Sequence, residues 1–495
     1  MAMTRVLLVA LYRYQNYPVR ILHALLERLP GVEPHAIFFK NRLTNAASPP
    51  TAREEALFAE RLRAIDPALV GLSVTSPYVE TARRLSASVR RAGSARVLWG
   101  GIHPTIFPEE SLAEADEICV GEAEGALVER VAALRDGGDP RRIANLWVRE
   151  AGRVFRNPLR PLVVDLDALP FPAVGRKSFA FIEDGRIAAE DPWSRDPVLP
   201  VLPARGCPFA CTYCVNSLLK PLFRGLGPFV RRRSVGSVIA EIREMLARPG
   251  SRHAMVEFHD ENFGTDPAWL AEFEARYPAE VGLPFKVQYN PMLVAPETIQ
   301  RLRRAGLHRV KFGIEAGTDA IRNRIFGRPG KNAAILDLAR RIAGSGVKIR
   351  YDFILDNPYD DEASLAETLR LFLELPKPLR ANLYSLQYFP GYPLTARAIA
   401  DGRIGPEAAR LETLAGRMAR NWAFVPRMLP FRRREMLQNM VWLYTAGRVG
   451  DGRLSRAAFG RGAGARLMLA ALHLKAAALG RIQEARRRLS RRAPE

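Results

Sequence analysis

The chain is 495 residues long, 48% hydrophobic and 25% charged, with a net charge of +22. That composition supports sizeable cores over roughly two to four domains. Four cysteines in such a length exclude a disulfide framework and point to metal or redox chemistry in a reducing compartment. The N-terminal apolar run, Val6 to Leu11, is too short for a secretory signal. No run reaches the roughly 18 apolar residues of a membrane span, so a cytoplasmic protein is expected.

Short apolar runs alternate with helical patterns from the start. RVLLVAL (5–11), PHAIFF (34–39), LVGLSV (69–74), RVLW (96–99) and EICV (117–120) read as strands. RILHALLERL (20–29), 51–64, VETARRLSASVRRA (79–92) and EGALVERVAALRD (124–136) read as helices. The alternation predicts an α/β domain over 1–140, a doubly wound, Rossmann-like parallel sheet that takes ligands at the carboxyl ends of its strands. Gly100 and Gly101 follow the fourth strand, where absent side chains allow a ligand close to the backbone or simply a tight turn. Ser73 and Thr75 alternate at the end of the third strand and place hydroxyls at the same crevice. His103 and Thr105 follow the glycines, and Gly121 and Glu122 follow the fifth strand. No GxGxxG follows the first strand, which disfavours a dinucleotide.

A connector rich in Pro and Leu spans 141–195, and the βα pattern then restarts. PVLPVLPARG, AMVEFHDENF (254–263), FKVQYN (285–290), HRVKFGIEAG (308–317), KIRYDFILDNP (348–358) and NLYSLQYFPG (382–391) read as six strands with helices between them. Eight βα units close an ordinary barrel, so six over 196–395 predict a partial (β/α)6 barrel with an open side. Cys207, Cys211 and Cys214 stand in RGCPFACTYC, just after the first of these strands. A structural zinc site needs four ligands. Cys119 belongs to the first domain, where it reads as a small core residue, and the nearest histidines in sequence are His253 and His259. A CxxC redox pair leaves Cys207 without a role. A [4Fe–4S] cluster is held by thiolates, and three of them leave one iron open.

This cysteine spacing, with Tyr213 before the last cysteine, resembles the radical S-adenosylmethionine (SAM) superfamily. The resemblance implies a TIM-like partial barrel and a cluster whose open iron chelates SAM. It also implies a 5′-deoxyadenosyl radical made with an electron from a reductant protein such as flavodoxin or ferredoxin. HDENF stands where the family contacts the methionine amino group, which nominates Asp260, Glu261 and Asn262. KFGIEAG is similar to the family's GIESG segment and nominates Glu315, with Gly313 and Gly317 allowing close approach; Ala316 replaces the usual serine. LDNPYDDEAS replaces the family's GLPGET turn, and YFPGYPL resembles its sixth-strand ending. Read from the residues alone, Asp266, Asp360 and Asp361 suit helix caps. His259, Tyr289 and Tyr351 suit proton donors or lining residues.

Ser73–Thr75 and Gly100–Gly101 resemble the cobalamin-binding fold. Its Asp-x-His-x-x-Gly motif, which supplies a cobalt ligand, is replaced here by Tyr12 to Tyr17. The lower cobalt face is then expected to be open, water-bound or covered by an apolar side chain. Over about residues 1 to 395 the chain is similar to cobalamin-binding radical SAM enzymes. That implies methylation of an unactivated centre, with cyclisation, rearrangement or oxidation as the alternative. A transfer-RNA methylthiotransferase would need three more cysteines in its first domain. A non-catalytic metal-binding nucleic-acid module fits neither the missing fourth ligand nor six βα units, so nucleic acid is not an expected partner.

Residues 396–495 read as helical. FGRGAGAR (459–466) reads as a linker, because no strand precedes it and no Lys-Ser/Thr follows. The last helix joins an apolar stretch, Leu467 to Leu479, to RIQEARRRLSRRAPE. It suits either peripheral contact with an anionic membrane or packing on the barrel with a solvated tail. The expected substrate is a small molecule or lipid of some bulk.

Overall fold

The computed structural model describes residues 3–41, 48–188, 190–410, 426 and 432–490, and for 484–490 the backbone only. The chain forms two compact units: Met1–Gly206 with Leu218–Ala254, and Cys207–Ser217 with Met255–Glu495.

The first unit is built on a sheet of nine strands. In chain order these are β1 Thr4–Leu11, β2 Val32–Phe39, β3 Leu69–Ser73, β4 Arg96–Gly100, β5 Glu117–Cys119, β6 Leu146–Glu150, β7 Arg153–Arg156, β8 Phe179–Glu183 and β9 Arg186–Ala188. Their spatial order is β7-β6-β5-β4-β3-β1-β2-β8-β9. The expected parallel sheet is its centre: β2, β1, β3, β4 and β5 pair in parallel. Leu7, Val9 and Leu11 enter one core, and Val6, Leu8 and Ala10 the other. A strand buried on both faces reads as a continuous apolar run, as β1 does.

The edges differ from expectation. The stretch anticipated as a connector carries four strands, β6 to β9, and β5–β6, β6–β7 and β8–β9 pair antiparallel. The sheet is therefore mixed, and the unit extends well past residue 140. The hairpins turn at Ala151-Gly152 and Asp184-Gly185, all four residues having positive φ. An Asp-Gly turn between FIE and RIA is a strong local hairpin signal, and it is what the reading of a plain connector overlooked. The compact unit also takes in Leu218–Ala254, which sequence reading placed with the barrel.

Arg20 ties the chain on either side of β8 and β9 to the sheet. Its side chain is fully buried and bonds both oxygens of Asp191 at 2.8 and 2.9 Å, with further bonds to the carbonyls of Tyr14 and Ala173. The guanidinium lies 4.4 Å from the Phe38 ring and 4.6 Å from Trp193.

The remaining strands are β10 Val198–Val201, the short pair β11 Ala204–Arg205 and β12 Arg231–Arg232, then β13 Met255–Phe258, β14 Phe285–Tyr289, β15 Leu307–Glu315, β16 Lys348–Leu355 and β17 Ala381–Ser385. The second large sheet runs β10-β13-β14-β15-β16-β17, the expected six, and β13 to β17 pair in parallel as a half-barrel. Helices Pro267–Glu280, Pro296–Arg304, Asn332–Ile342 and Glu362–Glu374 alternate with the strands.

Helices Arg433–Thr445, Asp451–Phe459 and Ala463–Ser490 close the second unit. The last begins inside the segment read as a linker. Leu469, Leu472, Ala476 and Ala477 are buried, while Leu467 and Leu474 are exposed. The helical expectation over 411–425 and 427–431, and the tail 491–495, lie outside the described residues. Among the described residues no helix is long and apolar enough to cross a membrane.

Removing one partner of a buried, multiply bonded ion pair leaves an uncompensated charge and costs about 3–5 kcal/mol. Asp191→Ala should therefore destabilise the first unit by that amount, read as an earlier denaturant midpoint. An unchanged midpoint would refute the role given to Arg20.

Candidate active site

The three cysteines lie in a loop held at its root and along its length. At the root, Gly206 has φ +87, and a Cβ there would meet the Phe229 carbonyl oxygen at 2.1 Å, so only glycine fits. Immediately before it, Arg205 pairs with Glu122 at 3.0 Å and Glu124 at 2.6 Å. Along the loop, the Thr212 N–H donates to the Phe326 carbonyl at 2.9 Å and the Thr212 hydroxyl to the Ile325 carbonyl at 2.7 Å. Tyr213 packs edge-on to Phe326 at 4.9 Å.

All four cysteines are free thiols. Burial raises the Cys207 thiol and pushes that of Cys214 up to about 12, and the charges of Glu261 and of the neighbouring thiols add to both. The three sulfurs thus share one electrostatic neighbourhood, and their thiolates need a nearby positive group. Iron supplies it. Among the described residues no three His, Cys, Asp or Glu side chains converge tightly enough to hold one metal ion; the thiolates of a cluster bind separate irons. The donor set fits a three-cysteine cluster.

Asp260, Glu261 and Asn262 follow β13 and are held by aromatic rings on both sides. Phe258 and Phe263 lie 4.8 Å apart and share a cluster with Trp269, Phe273, Tyr277 and Phe285. Asp260 is buried. Glu261 is ringed by protein yet reached by solvent; burial raises its pKa, and Lys311 and Arg328 work against that rise. The Asn262 amide nitrogen donates to the Cys207 sulfur at 3.7 Å, and its oxygen accepts from the Asn290 N–H at 2.6 Å.

Glu315 ends β15 with φ +67, beside a register shift between Gly313 and Glu315. Bulges and left-handed residues re-aim side chains next to functional sites. Burial pushes Glu315 up to about 7; Arg328 lowers it, Asp352 raises it, Lys311 lowers it and Glu261 raises it. Gly313 leaves room for this arrangement. A Cβ there would meet the Glu315 carboxylate at 2.5 Å and the Arg328 guanidinium at 2.7 Å. Gly317 serves packing instead, because a Cβ would strike the Thr368 hydroxyl at 2.0 Å.

Residues sharing the inner face of the half-barrel are polar. Lys311 lies 3.5 Å from Asp352, and Asn382 donates to Asp352 at 2.7 Å. Ordinary (β/α)8 barrels fill this space with branched apolar side chains; here it holds charged groups, with Lys311 and Glu315 half-buried and Asp352 buried. Arg328 was missed by sequence reading because no local motif marks it. Tyr351 stacks on Phe312 on the opposite face of the strands and does not line the lumen. Asp266 and Asp361 cap helices.

In the first unit, Ser73 pairs in register with Gly100. Gly101 has φ +102, and a Cβ there would meet the Val74 carbonyl oxygen at 2.9 Å. A Cβ at Gly100 would sit in ordinary van der Waals contact with the Cys119 Cβ at 3.8 Å, and Thr75 is exposed beside it. Thr105 accepts from the Gly121 N–H at 3.0 Å and donates to the Gly101 carbonyl at 2.7 Å, which joins the two loops. His103 is buried, takes a 3.1 Å bond with Ser76, and is pushed down to about 4 by burial and then by Arg83, so it is neutral. Glu122 is fully engaged by Arg205, Arg231 and the Val163 N–H. A side-chain-free step flanked by hydroxyls at the strand ends fits a cobalamin cradle. In the loop after β1, Tyr12 stacks on Tyr78 and bonds Thr81, and Tyr14 and Gln15 both bond Asp196.

Because Glu315 holds a proton in the folded chain up to about pH 7, its ionisation opposes folding increasingly as pH rises from about 4.5 to about 7. Glu315→Gln should raise the melting temperature of the cofactor-free protein by a few degrees at pH 8 and hardly at all at pH 4.5. A pH-independent difference would contradict this.

The geometry meets independent comparisons. Residues 4–131 match the B12 binding domain and residues 201–372 the radical SAM superfamily. An uncharacterised methyltransferase of Pyrococcus horikoshii is 25% identical over 69% of this chain and 72% of its own. The bacteriochlorophyllide d C-8(2)-methyltransferase of Chlorobaculum tepidum is 27% identical over 50% of this chain, which spans only 49% of that relative. An anaerobic magnesium-protoporphyrin IX monomethyl ester cyclase of Cereibacter sphaeroides is 23% identical over 63% of this chain and 50% of its own. The methyltransferase TsrM from Kitasatospora setae, solved with cobalamin and a [4Fe–4S] cluster, superposes with a TM-score of 0.64 at 19% identity over 81% of this chain and 78% of that one. OxsB, a cobalamin-dependent SAM radical enzyme, superposes at 0.65 and 15% identity over 95% of this chain and 72% of that one. The chain, with a B12 binding domain ahead of a radical SAM domain, is a cobalamin-dependent radical SAM enzyme.

Proposed function

We propose that this enzyme methylates an unactivated centre of a bulky metabolite. The observation that carries the reading is the group of charged side chains on the half-barrel, Glu261, Lys311, Glu315 and Asp352, beside the cysteine loop. When bound, the cofactors supply a hydrogen-abstracting radical and a carrier for a methyl group. The chain's own residues do the rest. Cys207, Cys211 and Cys214 hold iron, and Glu261 and Glu315 are placed to bind an ammonium or hydroxyl groups. Glu315, poised near pH 7, can hold or release a proton at its carboxylate.

Relatives support methylation, since three of them carry methyltransferase names. The tetrapyrroles in several of those names are large and support a bulky substrate. The cyclase relatives favour a second reading, radical oxidation or ring closure with the same cofactors. Anaerobic incubation with methyl-labelled SAM, a low-potential reductant and cell extract separates the two. S-adenosylhomocysteine with label transfer supports methylation; 5′-deoxyadenosine without transfer supports the second reading. Alanine at Cys207, Cys211 or Cys214 should remove the bound iron and reduce both products at least 100-fold. Persistence of either product in all three variants would sink both readings.

The exposed Leu467 and Leu474 on the C-terminal helix support a further proposal, peripheral contact with an anionic membrane. Flotation with phosphatidylglycerol vesicles should recover the full chain and not one ending at Gly464. Equal recovery would reject the contact.

A further inference from the structure

We propose that Arg328 and Asn262 set the reduction potential of the cluster, each by donating a fixed N–H to one cysteine sulfur. Arg328 approaches Cys211 with one terminal nitrogen at 3.8 Å. Its other terminal nitrogen and its Nε both donate to the Gly313 carbonyl, at 2.7 and 2.9 Å. The planar guanidinium is thereby clamped on the backbone of β15, and the free edge is aimed at sulfur.

Asn262 does the same for Cys207 by a different device. The amide oxygen must be the atom facing Asn290, because the Asn290 backbone N–H can only donate, and it does so at 2.6 Å. The NH₂ is therefore the atom 3.7 Å from the Cys207 sulfur. Two neighbouring thiolates thus each receive one side-chain donor whose orientation a backbone partner dictates.

Reduction adds one electron to the cluster and breaks no bond, so it makes the sulfurs more negative. A hydrogen bond to sulfur, and a nearby cation, stabilise the reduced state more than the oxidised one and raise the potential. Arg328 brings both effects and Asn262 only the first. The acids Glu261 and Glu315 oppose them, and Arg328 faces both carboxylates as well as Cys211. The inference rests on the cluster assignment alone and not on methyl transfer.

The test is an anaerobic potentiometric titration of the full-length reconstituted protein, with dithionite as reductant, followed by the reduced cluster's paramagnetic signal in the absence of SAM. Asn262→Leu should move the midpoint to more negative values, and Arg328→Met further. Arg328→Lys should fall between Met and wild type, because an ammonium keeps the charge but cannot serve Gly313 and Cys211 together. Wild-type midpoints in Asn262→Leu and Arg328→Met at full iron content would overturn the proposal. If Arg328→Met fails to hold iron, Asn262→Leu decides alone, an unchanged midpoint counting against it. No turnover is needed, so failure of the methyltransfer reading and failure of this one are distinct results.

Discussion

Glu122 is the charge on which the root of the cluster loop depends. Its carboxylate accepts from Arg205, from Arg231 at 2.8 Å and from the Val163 N–H at 2.8 Å. Burial alone would raise its pKa; the Arg231 hydrogen bond and the charges of Arg205 and Arg231 outweigh burial and lower it. One residue after β5 therefore fastens the chain after β7 and both short strands that precede and follow the cysteine loop. Here three donors from three parts of the chain meet one acceptor, which offsets part of the cost of desolvating these charges. Fixing Arg205 fixes Gly206, whose lack of a side chain lets the loop pass over Phe229. The cysteines begin at the next residue.

Within the half-barrel the organising principle is charge, not apolar packing. Apolar contact is placed outside the lumen, in the rings around Phe258 and Phe273 and in the Phe312–Tyr351 stack. The strands can then afford Lys311, Asp352 and Glu315 on the inner face, each with an opposite charge near it. Glu315 rests near neutrality because its site is crowded with protein while Arg328 and Lys311 compete with Asp352 and Glu261. So many charged groups on one face would make a poor structural core.

Much of the fold was legible because parallel strands buried on both faces are continuous apolar runs. The runs at 5–11, 69–74 and 96–99 fall on β1, β3 and β4 to within a residue. The antiparallel additions were missed because β7 and β9 are short edge strands of mixed polarity, RVFR and RIA, with exposed ends. Their one clear local signal was Asp184-Gly185. Glu122 carries no sequence mark that separates a ligand contact from an ion-pair hub. Its partners lie 41, 83 and 109 residues away, and only folding brings them to it.

The sequence by itself determined which residue types stand at the candidate site: three closely spaced thiols without a fourth, the acids of HDENF and GIEAG, and the Gly100–Gly101 step. These are local patterns, and local patterns survive without coordinates. Tertiary structure decided what each residue does there. It turned Asn262 toward Cys207, brought Arg328 to Cys211 across 117 residues of chain, and made Gly313 a space for Glu315 and Arg328 while Gly317 became a packing contact. Hydrogen-bond direction and charge proximity depend on distances through space, and spacing along the chain does not encode them.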